Sequence, residues 1–378
     1  MTRKALRTRL CEMLGIEYPI LLAGMGVLGM ATPPRLVAAV SNAGGMGFAA
    51  CSQNSPEWVR RTVREIKQLT EKPFGVNVMF PSTGAENLGT PEEIYQKLQK
   101  EYPEHVAFVR NLMQELGLPL YDFKDWDAEF RGTYSRENAW QQLEIVLEEK
   151  VPVISCGLGL PPEVAQVAHE NGMKVLATAG SARNAVRHAE AGADIIVAQG
   201  HEAGGHTGRI STIPLVLSAI EAIKPVPVVA AGGIVNGRAL AAALALGAIG
   251  VWCGTAFLLS EECNIYPEHK EKIIRGRAEE WTVSRCYTGK TARHYRNKVI
   301  ETWEKSGLPV LPMAYETVLF NMLQSSAARH HKPEYIYNAA SQSINLLKEI
   351  RPARQIIAEM VNEALDTLKK LNGLLPEN

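Results

Sequence analysis

The sequence has no excess of either charge and no cysteine pairing of the metal-binding kind. Lys and Arg total 40, and Asp and Glu also total 40, so the formal net charge is zero. No run of Lys and Arg forms a basic patch, so we expect no nucleic-acid partner. The six cysteines include no C-x-x-C pair, and no set of cysteines and histidines has the spacing of a zinc site. We therefore expect no metal.

Long apolar runs are also missing. No segment reaches the length of a transmembrane helix, and the basic segment Met1–Leu14 is not followed by the apolar stretch of a signal peptide. We therefore expect no membrane partner. The six cysteines are scattered, with Cys156 and Cys253 inside apolar segments, so we expect a reducing, cytoplasmic location. The composition of 46% hydrophobic and 21% charged residues is that of a folded globular protein rather than a disordered chain.

Short apolar segments do recur along the chain, and stretches of helical pattern separate several of them. The segments are uniformly apolar rather than alternating, which is typical of parallel strands buried on both faces. This repetition predicts a (β/α)8 barrel, and a doubly wound sheet is the less favoured alternative. The eight predicted strands are Pro19–Ala23, Met46–Ala50, Phe74–Met79, Val151–Cys156, Lys174–Thr178, Asp194–Ala198, Val226–Ala231 and Ile249–Cys253.

Two parts of the chain exceed what a plain barrel needs. Residues 82–148, after the third predicted strand, are too many for one loop and helix, and we predict a long, mainly helical insertion that could cover the catalytic face. An aromatic-rich piece, Tyr121–Tyr134, lies within it. After Leu259 the strand pattern stops. We therefore divide the chain into a barrel over 1–260, interrupted by 82–148, and a C-terminal helical extension over 261–378 that packs on the barrel and ends in a helix at Ala353–Leu371.

The most distinctive local signal is G-H-E-A-G-G-H-T-G at 200–208, directly after the sixth predicted strand. Its four glycines allow the backbone to come close to a ligand, and it carries two imidazoles. A glycine-rich turn with an exposed histidine would look the same locally. Its place favours a functional loop, because active sites of (β/α)8 barrels lie at the C-terminal ends of the strands.

Two further glycine motifs follow the last two predicted strands. They are A-A-G-G-I at 230–234 and C-G-T at 253–255. Loops at these places often form a phosphate site in such barrels, although each motif alone could serve tight packing. Together they predict a phosphate-bearing cofactor. Gly24 and Met25 follow the first strand, while Asn77 and Gln199 place amide groups near the ends of the third and sixth, either to contact a ligand ring or to cap the barrel.

These segments together resemble the nitronate monooxygenase family, also called 2-nitropropane dioxygenases. The resemblance covers roughly Ile16–Ser260, apart from the insertion. It rests on Y-P-I-L-L-A-G-M-G at 18–26, V-S-N-A-G-G-M-G at 40–47, P-F-G-V-N-V at 73–78, the run from 177 to 208, A-A-G-G-I at 230–234 and C-G-T-A-F-L at 253–258. The segment Ser284–Arg293 also resembles the family's T-G-x-x-A-R region, which is expected to border the flavin.

The resemblance implies a (β/α)8 barrel with noncovalently bound FMN. His206, the last residue of E-A-G-G-H, matches the family's catalytic base, whereas His201 stands at a variable position and receives no role. The flavin contacts that the resemblance implies are Gly24, Met25, Asn77, Gln199, Gly204, Gly205, Gly233, Trp252, Cys253, Gly254 and Thr255.

The implied activity is the oxidation of alkyl nitronates or nitroalkanes by O2 to a carbonyl compound and nitrite. The substrate would be a small molecule. The sequence leaves open whether the chain forms a homo-oligomer. FMN-dependent reductases that use NAD(P)H, either enoyl-acyl-carrier-protein reductases or quinone reductases, share the barrel and the G-G-H loop and are the main alternative. A third alternative is a non-catalytic protein that binds a flavin or a partner, which the presence of His206 disfavours.

Overall fold

A closed barrel of eight parallel strands forms the centre of the protein, in a computed structural model that describes residues 6–26, 31–80, 89–126 and 135–375. Every predicted strand overlaps an observed one, so the prediction of a (β/α)8 barrel is confirmed. The barrel strands, in their order around the barrel, are β1 (Ile20–Leu22), β2 (Met46–Ala50), β3 (Gly75–Met79), β4 (Val153–Gly157), β5 (Lys174–Ala179), β6 (Ile195–Gln199), β8 (Val228–Ala231) and β9 (Val251–Cys253).

Helices between the strands form the outer layer. Several begin at proline, whose missing N–H costs nothing in the first turn, or after a side chain that caps the helix, such as Ser181, whose Oγ accepts from the Asn184 amide at 3.2 Å. They are α2 (Pro34–Asn42), α3 (Pro56–Leu69), α7 (Pro162–Glu170), α8 (Ala182–Glu190), α9 (Thr212–Ile223) and α10 (Gly237–Ala245). No described helix is both long and apolar enough to cross a membrane.

The strands bury apolar side chains on both faces. Inward-facing residues fill the barrel, where the rings of Phe48 and Trp252 lie 4.6 Å apart between centroids. Gly75 makes room for this packing, because a Cβ atom there would lie 2.2 Å from Cε1 of Phe48. Helix α1 (Arg9–Leu14) closes the N-terminal end of the barrel with Leu10 and Leu14. Ligand access is therefore left to the C-terminal end.

The last helix of the chain completes the outer ring. Helix α15 (Ala353–Asn372), where the sequence predicts a helix over Ala353–Leu371, packs against α10 and α2. A Cβ atom on Gly237 would lie 2.3 Å from the main-chain oxygen of Met360, so α10 and α15 approach each other closely. The helix that directly follows β9 is only one turn, α11 (Thr255–Leu258). The C-terminal region thus supplies the helix that covers this part of the barrel.

A second hydrophobic core joins the insertion to the C-terminal region. Helices α4 (Pro91–Glu101) and α5 (Pro103–Glu115) pack against α14 (Met313–Arg329), which is buried over most of its length. Helix α13 (Lys298–Ser306) adds Trp303 to this core, and α6 (Arg136–Glu148) returns to pack on α3. Residues 82–88 and 127–134 of the insertion lie outside the described residues, and with them part of the aromatic-rich piece.

A small antiparallel sheet stands beside the barrel. It consists of β10 (Trp281–Ser284), β11 (Ala292–Tyr295) and the two-residue strand β7 (Gly205–His206), in the order β10-β11-β7. The prediction that strands end at Leu259 is therefore wrong. Strands β10 and β11 are short and include polar residues, so no apolar run marks them in the sequence. Helix α12 (Pro267–Arg275) separates them from the barrel strands.

Candidate active site

His206 lies on β7, at the C-terminal side of the barrel. Strand β7 pairs with β11, so that His206 stands opposite Ala292. Gln199, the last residue of β6, donates from Nε2 to the main-chain oxygen of His206 at 2.5 Å. Gly205 has a left-handed backbone, with φ of 74°, which favours glycine at this turn. The barrel end and the small sheet thus fix the histidine from both sides.

The imidazole of His206 is partly buried, and its Nε2 atom lies 3.1 Å from Oγ1 of Thr288. Burial, and to a lesser extent the nearby Lys290 cation, lower the pKa of His206 to about 4. The ring is therefore neutral at physiological pH, which is the form that can accept a proton. Thr288 belongs to the T-G-x-x-A-R segment, so the structure brings that segment to His206.

His201 closes the base of the same loop. Its Nδ1 atom lies 2.8 Å from the main-chain oxygen of Gly208, and its own main-chain oxygen accepts from Nη2 of Arg293 at 3.1 Å. Thr207 donates from Oγ1 to the oxygen of Gly200 at 3.1 Å. These contacts shape residues 200–208 into a fixed loop and give His201 a structural place in it.

A second histidine near His206 was missed by sequence reasoning. His294 lies two residues after Ala292 on β11, so it shares a sheet face with His206. It is fully buried, and neither ring nitrogen has a hydrogen-bond partner among the described residues. Burial lowers the pKa of His294 to about 3, so the ring is neutral. The only signal was its position directly after the T-G-x-x-A-R segment.

Gly24, Met25, Asn77 and Gly254 lie together at one side of the barrel's open end. A Cβ atom on Gly24 would lie 2.9 Å from Cβ of Asn77, and one on Gly254 would lie 3.0 Å from Sδ of Met25. The amide Nδ2 of Asn77 donates to Oγ of Ser155 at 3.1 Å. Four of the predicted flavin contacts are thus near neighbours, from β1, β3 and the end of β9.

The residues that follow β6, β8 and β9 meet a segment far along the chain, Ala340–Ser343. Ser343 donates from Oγ to the oxygen of Gly233 at 2.6 Å, and the Ser341 amide donates to Oγ1 of Thr255 at 3.0 Å. Gly204 is packed against the same segment, since a Cβ atom there would lie 2.6 Å from the carbonyl carbon of Ala340. Sequence reasoning missed this segment, whose signal is the run A-S-Q-S.

Glu202 and Thr212 connect the two glycine loops that follow β6 and β8. The carboxylate of Glu202 accepts from the amide of Thr212 at 2.9 Å and from its Oγ1 at 2.8 Å. The same hydroxyl lies 3.0 Å from the oxygen of Gly232, whose φ is 103°. The loop that carries His206 is therefore held at a fixed distance from the loop that carries Gly233.

Trp252 and Cys253 face opposite sides of β9. Trp252 points into the barrel against Phe48, whereas Cys253 packs in the outer core between the strands and the helices. Burial raises the pKa of the Cys253 thiol to about 12, so it carries no nucleophile. A ligand at the open end of the barrel would meet main-chain atoms of Cys253 rather than its sulfur.

No three His, Cys, Asp or Glu side chains of the described ranges are grouped as ligands for a metal ion. The site instead offers main-chain atoms of glycine loops, two amide side chains and a neutral histidine. The predicted contacts form two groups, one around Gly24 and Asn77 and one around Gln199, His206 and Gly233. This arrangement suits an extended ligand more than a metal centre.

Known proteins are similar to this chain over nearly its whole length. The family profile "Nitronate monooxygenase" matches residues 7–363, well beyond the segments quoted from the barrel. A probable nitronate monooxygenase of Bacillus subtilis is 32% identical over 92% of this chain and 96% of its own length. Among solved structures, nitroalkane oxidase from Streptomyces ansochromogenes is 30% identical, with a TM-score of 0.77, over 96% of this chain and 99% of its own.

FabK from Thermotoga maritima is equally similar. It is 32% identical, covers 98% of this chain and 100% of its own, and has a TM-score of 0.76. The insertion and the C-terminal region therefore lie within the region shared with relatives. The chain belongs to the nitronate monooxygenase family and is a flavin-dependent oxidoreductase.

Proposed function

We propose that this protein oxidises alkyl nitronates and nitroalkanes with O2, using FMN, to a carbonyl compound and nitrite. The observation that carries the proposal is a neutral histidine, His206, held at the open end of the barrel beside the cation of Lys290. Membership of the family supports nitronate oxidation in general. The choice of FMN and of His206 as the base rests on the resemblance and on the geometry of this site.

The residues at the barrel end fit FMN. Asn77 and Gln199 have amide groups that can meet the polar edge of a flavin ring, and Gly24 places no side chain against Asn77. Gly233, Thr255 and the serines of Ala340–Ser343 lie together where the loops after β8 and β9 meet, and they carry N–H and hydroxyl groups of the kind that bind a phosphate. The Ser341 amide and the Ser343 hydroxyl donate to Thr255 and Gly233 in this structure, so phosphate binding would exchange these bonds. When bound, FMN would supply the redox chemistry that connects substrate oxidation to O2.

His206 and Lys290 are the side chains that would act on the substrate. A neutral His206 can take the α-proton of a nitroalkane, which leaves the electron pair of the C–H bond on the nitronate. The Lys290 side chain is exposed and has no carboxylate partner among the described residues. Its charge favours the neutral form of His206 and attracts an anion. A nitronate is an anion, so both effects suit this substrate class.

The alternative is reduction of an enoyl or quinone acceptor with NAD(P)H. The similarity to FabK of Thermotoga maritima is the observation that keeps it open. Such an enzyme needs a nicotinamide to reach the flavin, whereas a nitronate monooxygenase does not. The two functions therefore differ in which compound reduces the bound flavin.

The first experiment follows the flavin absorbance of the purified holoprotein without oxygen. We expect propyl-1-nitronate to reduce the flavin, and NADH and NADPH to leave it oxidised. Reduction by a nicotinamide, with no response to the nitronate, would assign the protein to the reductases.

His206→Asn then tests the base. With flavin still bound, we expect kcat/KM for neutral 1-nitropropane to fall by about 100-fold or more, the usual contribution of a general base. Turnover of propyl-1-nitronate should change far less, because that substrate has already lost its proton. His331→Asn, at an exposed histidine, is the matched control. Equal loss on both substrates would argue against a base.

A further inference from the structure

The two ring nitrogens of His206 have different surroundings. Nε2 lies 3.1 Å from Oγ1 of Thr288. Nδ1 has no hydrogen-bond partner among the described residues, and the side chain as a whole is only partly buried. A neutral imidazole carries one proton and one free lone pair. The group that contacts Nε2 therefore determines which nitrogen can act on a substrate.

Thr288 can accept a hydrogen bond from Nε2–H because its own hydroxyl proton has another acceptor. Its Oγ1 donates to the main-chain oxygen of Lys290 at 3.3 Å and accepts from the Lys290 amide at 3.4 Å. One lone pair of this oxygen is then left for an N–H of His206. We infer that Thr288 is a positioning residue that holds the proton of His206 on Nε2 and leaves Nδ1 as the base. This inference rests on the proposed function in so far as it assigns the base to His206.

The segment around Thr288 is rigid enough to do this. Arg285 donates from Nε to the oxygen of Gly289 at 2.9 Å, and the hydroxyl of buried Tyr287 donates to the oxygen of Tyr335 at 2.9 Å. Gly289 has φ of 68°, and a Cβ atom there would lie 2.6 Å from the oxygen of Leu311. Thr288 is therefore fixed by the C-terminal region, independently of the loop that carries His206.

The proton balance defines the effect of Thr288. Nδ1 takes the α-proton of a neutral nitroalkane, the C–H electrons stay on the nitronate, and the resulting imidazolium keeps Nε2–H bonded to Thr288. Without the hydroxyl, the ring can carry its proton on Nδ1 or rotate, and fewer molecules present a free Nδ1. A preformed nitronate needs no proton removal, so its turnover should not depend on this bond.

The test compares Thr288→Val, which keeps the side-chain shape, with Thr288→Ser, which keeps the hydroxyl, in the flavin-loaded enzyme. We expect Thr288→Val to lower kcat/KM for 1-nitropropane by about 10- to 100-fold, which is within the range of general base catalysis. The same variant should stay within about threefold of wild type with propyl-1-nitronate. Thr288→Ser should remain close to wild type with both substrates.

A readout besides activity is the tautomer itself. In holoenzyme labelled with 15N-histidine, two-bond 15N–1H correlations distinguish Nε2–H from Nδ1–H, and His206→Asn identifies the His206 signals. We expect the Nε2–H pattern in wild type and in Thr288→Ser, and a mixture or the Nδ1–H pattern in Thr288→Val.

The outcomes separate this inference from the proposed function. An Nδ1–H pattern in wild type, or a loss in Thr288→Val that is equal for both substrates, would overturn the role of Thr288. So would wild-type kinetics of Thr288→Val with both substrates. If the wild-type enzyme does not oxidise a nitronate at all, the proposed function fails, while the tautomer measurement still decides whether Thr288 orients His206.

Discussion

The cation of Lys290 lies close enough to His206 to lower the pKa of its imidazole. Burial is the larger cause of the shift, but burial acts on the ring from all sides, whereas the charge of Lys290 can be removed by one substitution. A neighbouring carboxylate would raise the pKa of a histidine, whereas the Lys290 cation lowers it. It suits a histidine that must be neutral before an anionic or acidic substrate arrives.

Lys290→Met should therefore shift the acid side of the pH profile. In wild type, His206 is protonated only near pH 4, so kcat/KM for 1-nitropropane should be independent of pH above about 5. Without the cation the pKa rises, and the acid-side decline should move to higher pH. We also expect KM for propyl-1-nitronate to rise by up to about fivefold, the effect of one exposed charge of about 1 kcal/mol.

Lys290→Arg is the matched control, because it keeps the charge in nearly the same place. Its pH profile should coincide with that of wild type. A Lys290→Met profile that stays in place, or moves to lower pH, would show that this cation does not act on His206.

Gly233 tests the phosphate side of the site. Its φ is 73°, and a Cβ atom there would lie 3.2 Å from Cβ of Glu202 and 3.3 Å from Oγ of Ser343. Gly233→Val places a β-branched side chain between these groups, so we expect FMN to bind at least about tenfold more weakly, a difference of about 1.4 kcal/mol. The flavin-to-protein ratio after purification and a titration with FMN measure this.

Gly172→Val separates the loss of flavin from backbone strain. Gly172 has the same φ of 73°, but a Cβ atom there would have no neighbour within 4 Å, and it follows α7, whose residues carry none of the proposed contacts. The Gly172→Val variant should lose stability as Gly233→Val does, but it should keep its flavin. Normal flavin content in Gly233→Val would remove this residue from the cofactor site.

The barrel was predictable because its signal is local. Each strand is buried on both faces, so it shows as an apolar run within a few residues, as Met46–Ala50 does with identical bounds in prediction and structure. Strands β10 and β11 lack that signal, because they are short and include polar residues. The pairing of β11 with β7 joins His206 to Ala292, far apart in the sequence, so no local pattern shows it. The position of α15 in the ring is likewise set by packing and not by a motif.

The candidate site divides in the same way. His206 and the glycines after β6, β8 and β9 stand in short motifs at strand ends, so the sequence placed them there. Thr288 at Nε2 of His206, buried His294 and the Ala340–Ser343 segment come from the C-terminal region and reach the site only through long-range contacts. No local pattern contains those contacts, and the sequence predicted only that Ser284–Arg293 borders the site.

Buried Glu316 on α14 gives the last prediction, which concerns stability. Its side chain is fully buried, one carboxyl oxygen accepts from the Leu311 amide at 3.0 Å, and the other has no hydrogen-bond partner among the described residues. Burial raises its pKa from 4.5 to about 8. The folded state therefore holds a proton that the unfolded state releases above pH 4.5, and the stability from this group is lost as pH rises toward 8.

Buried histidines act in the opposite direction. Burial lowers the pKa of His206 and His269 to about 4 and that of His294 to about 3, from 6.5. Their contribution to stability is therefore present above pH 6.5 and is lost as pH falls. These histidines titrate in the same way in wild type and in a Glu316 variant, so the difference between the two proteins isolates Glu316.

Glu316→Gln removes this titration while keeping the side-chain shape and an acceptor for Leu311. Between pH 6.5 and 8 we expect the free energy of unfolding of wild type to fall by about 1 kcal/mol per pH unit more than that of the variant, since one proton corresponds to about 1.4 kcal/mol per unit. Urea unfolding at pH 5, 6.5 and 8, at one fixed flavin content, measures the difference. Exposed Glu115→Gln is the control, and its curve should run parallel to wild type. If the Glu316→Gln curve also runs parallel, Glu316 is already ionised in the folded protein, and the burial argument for a neutral carboxyl group is wrong.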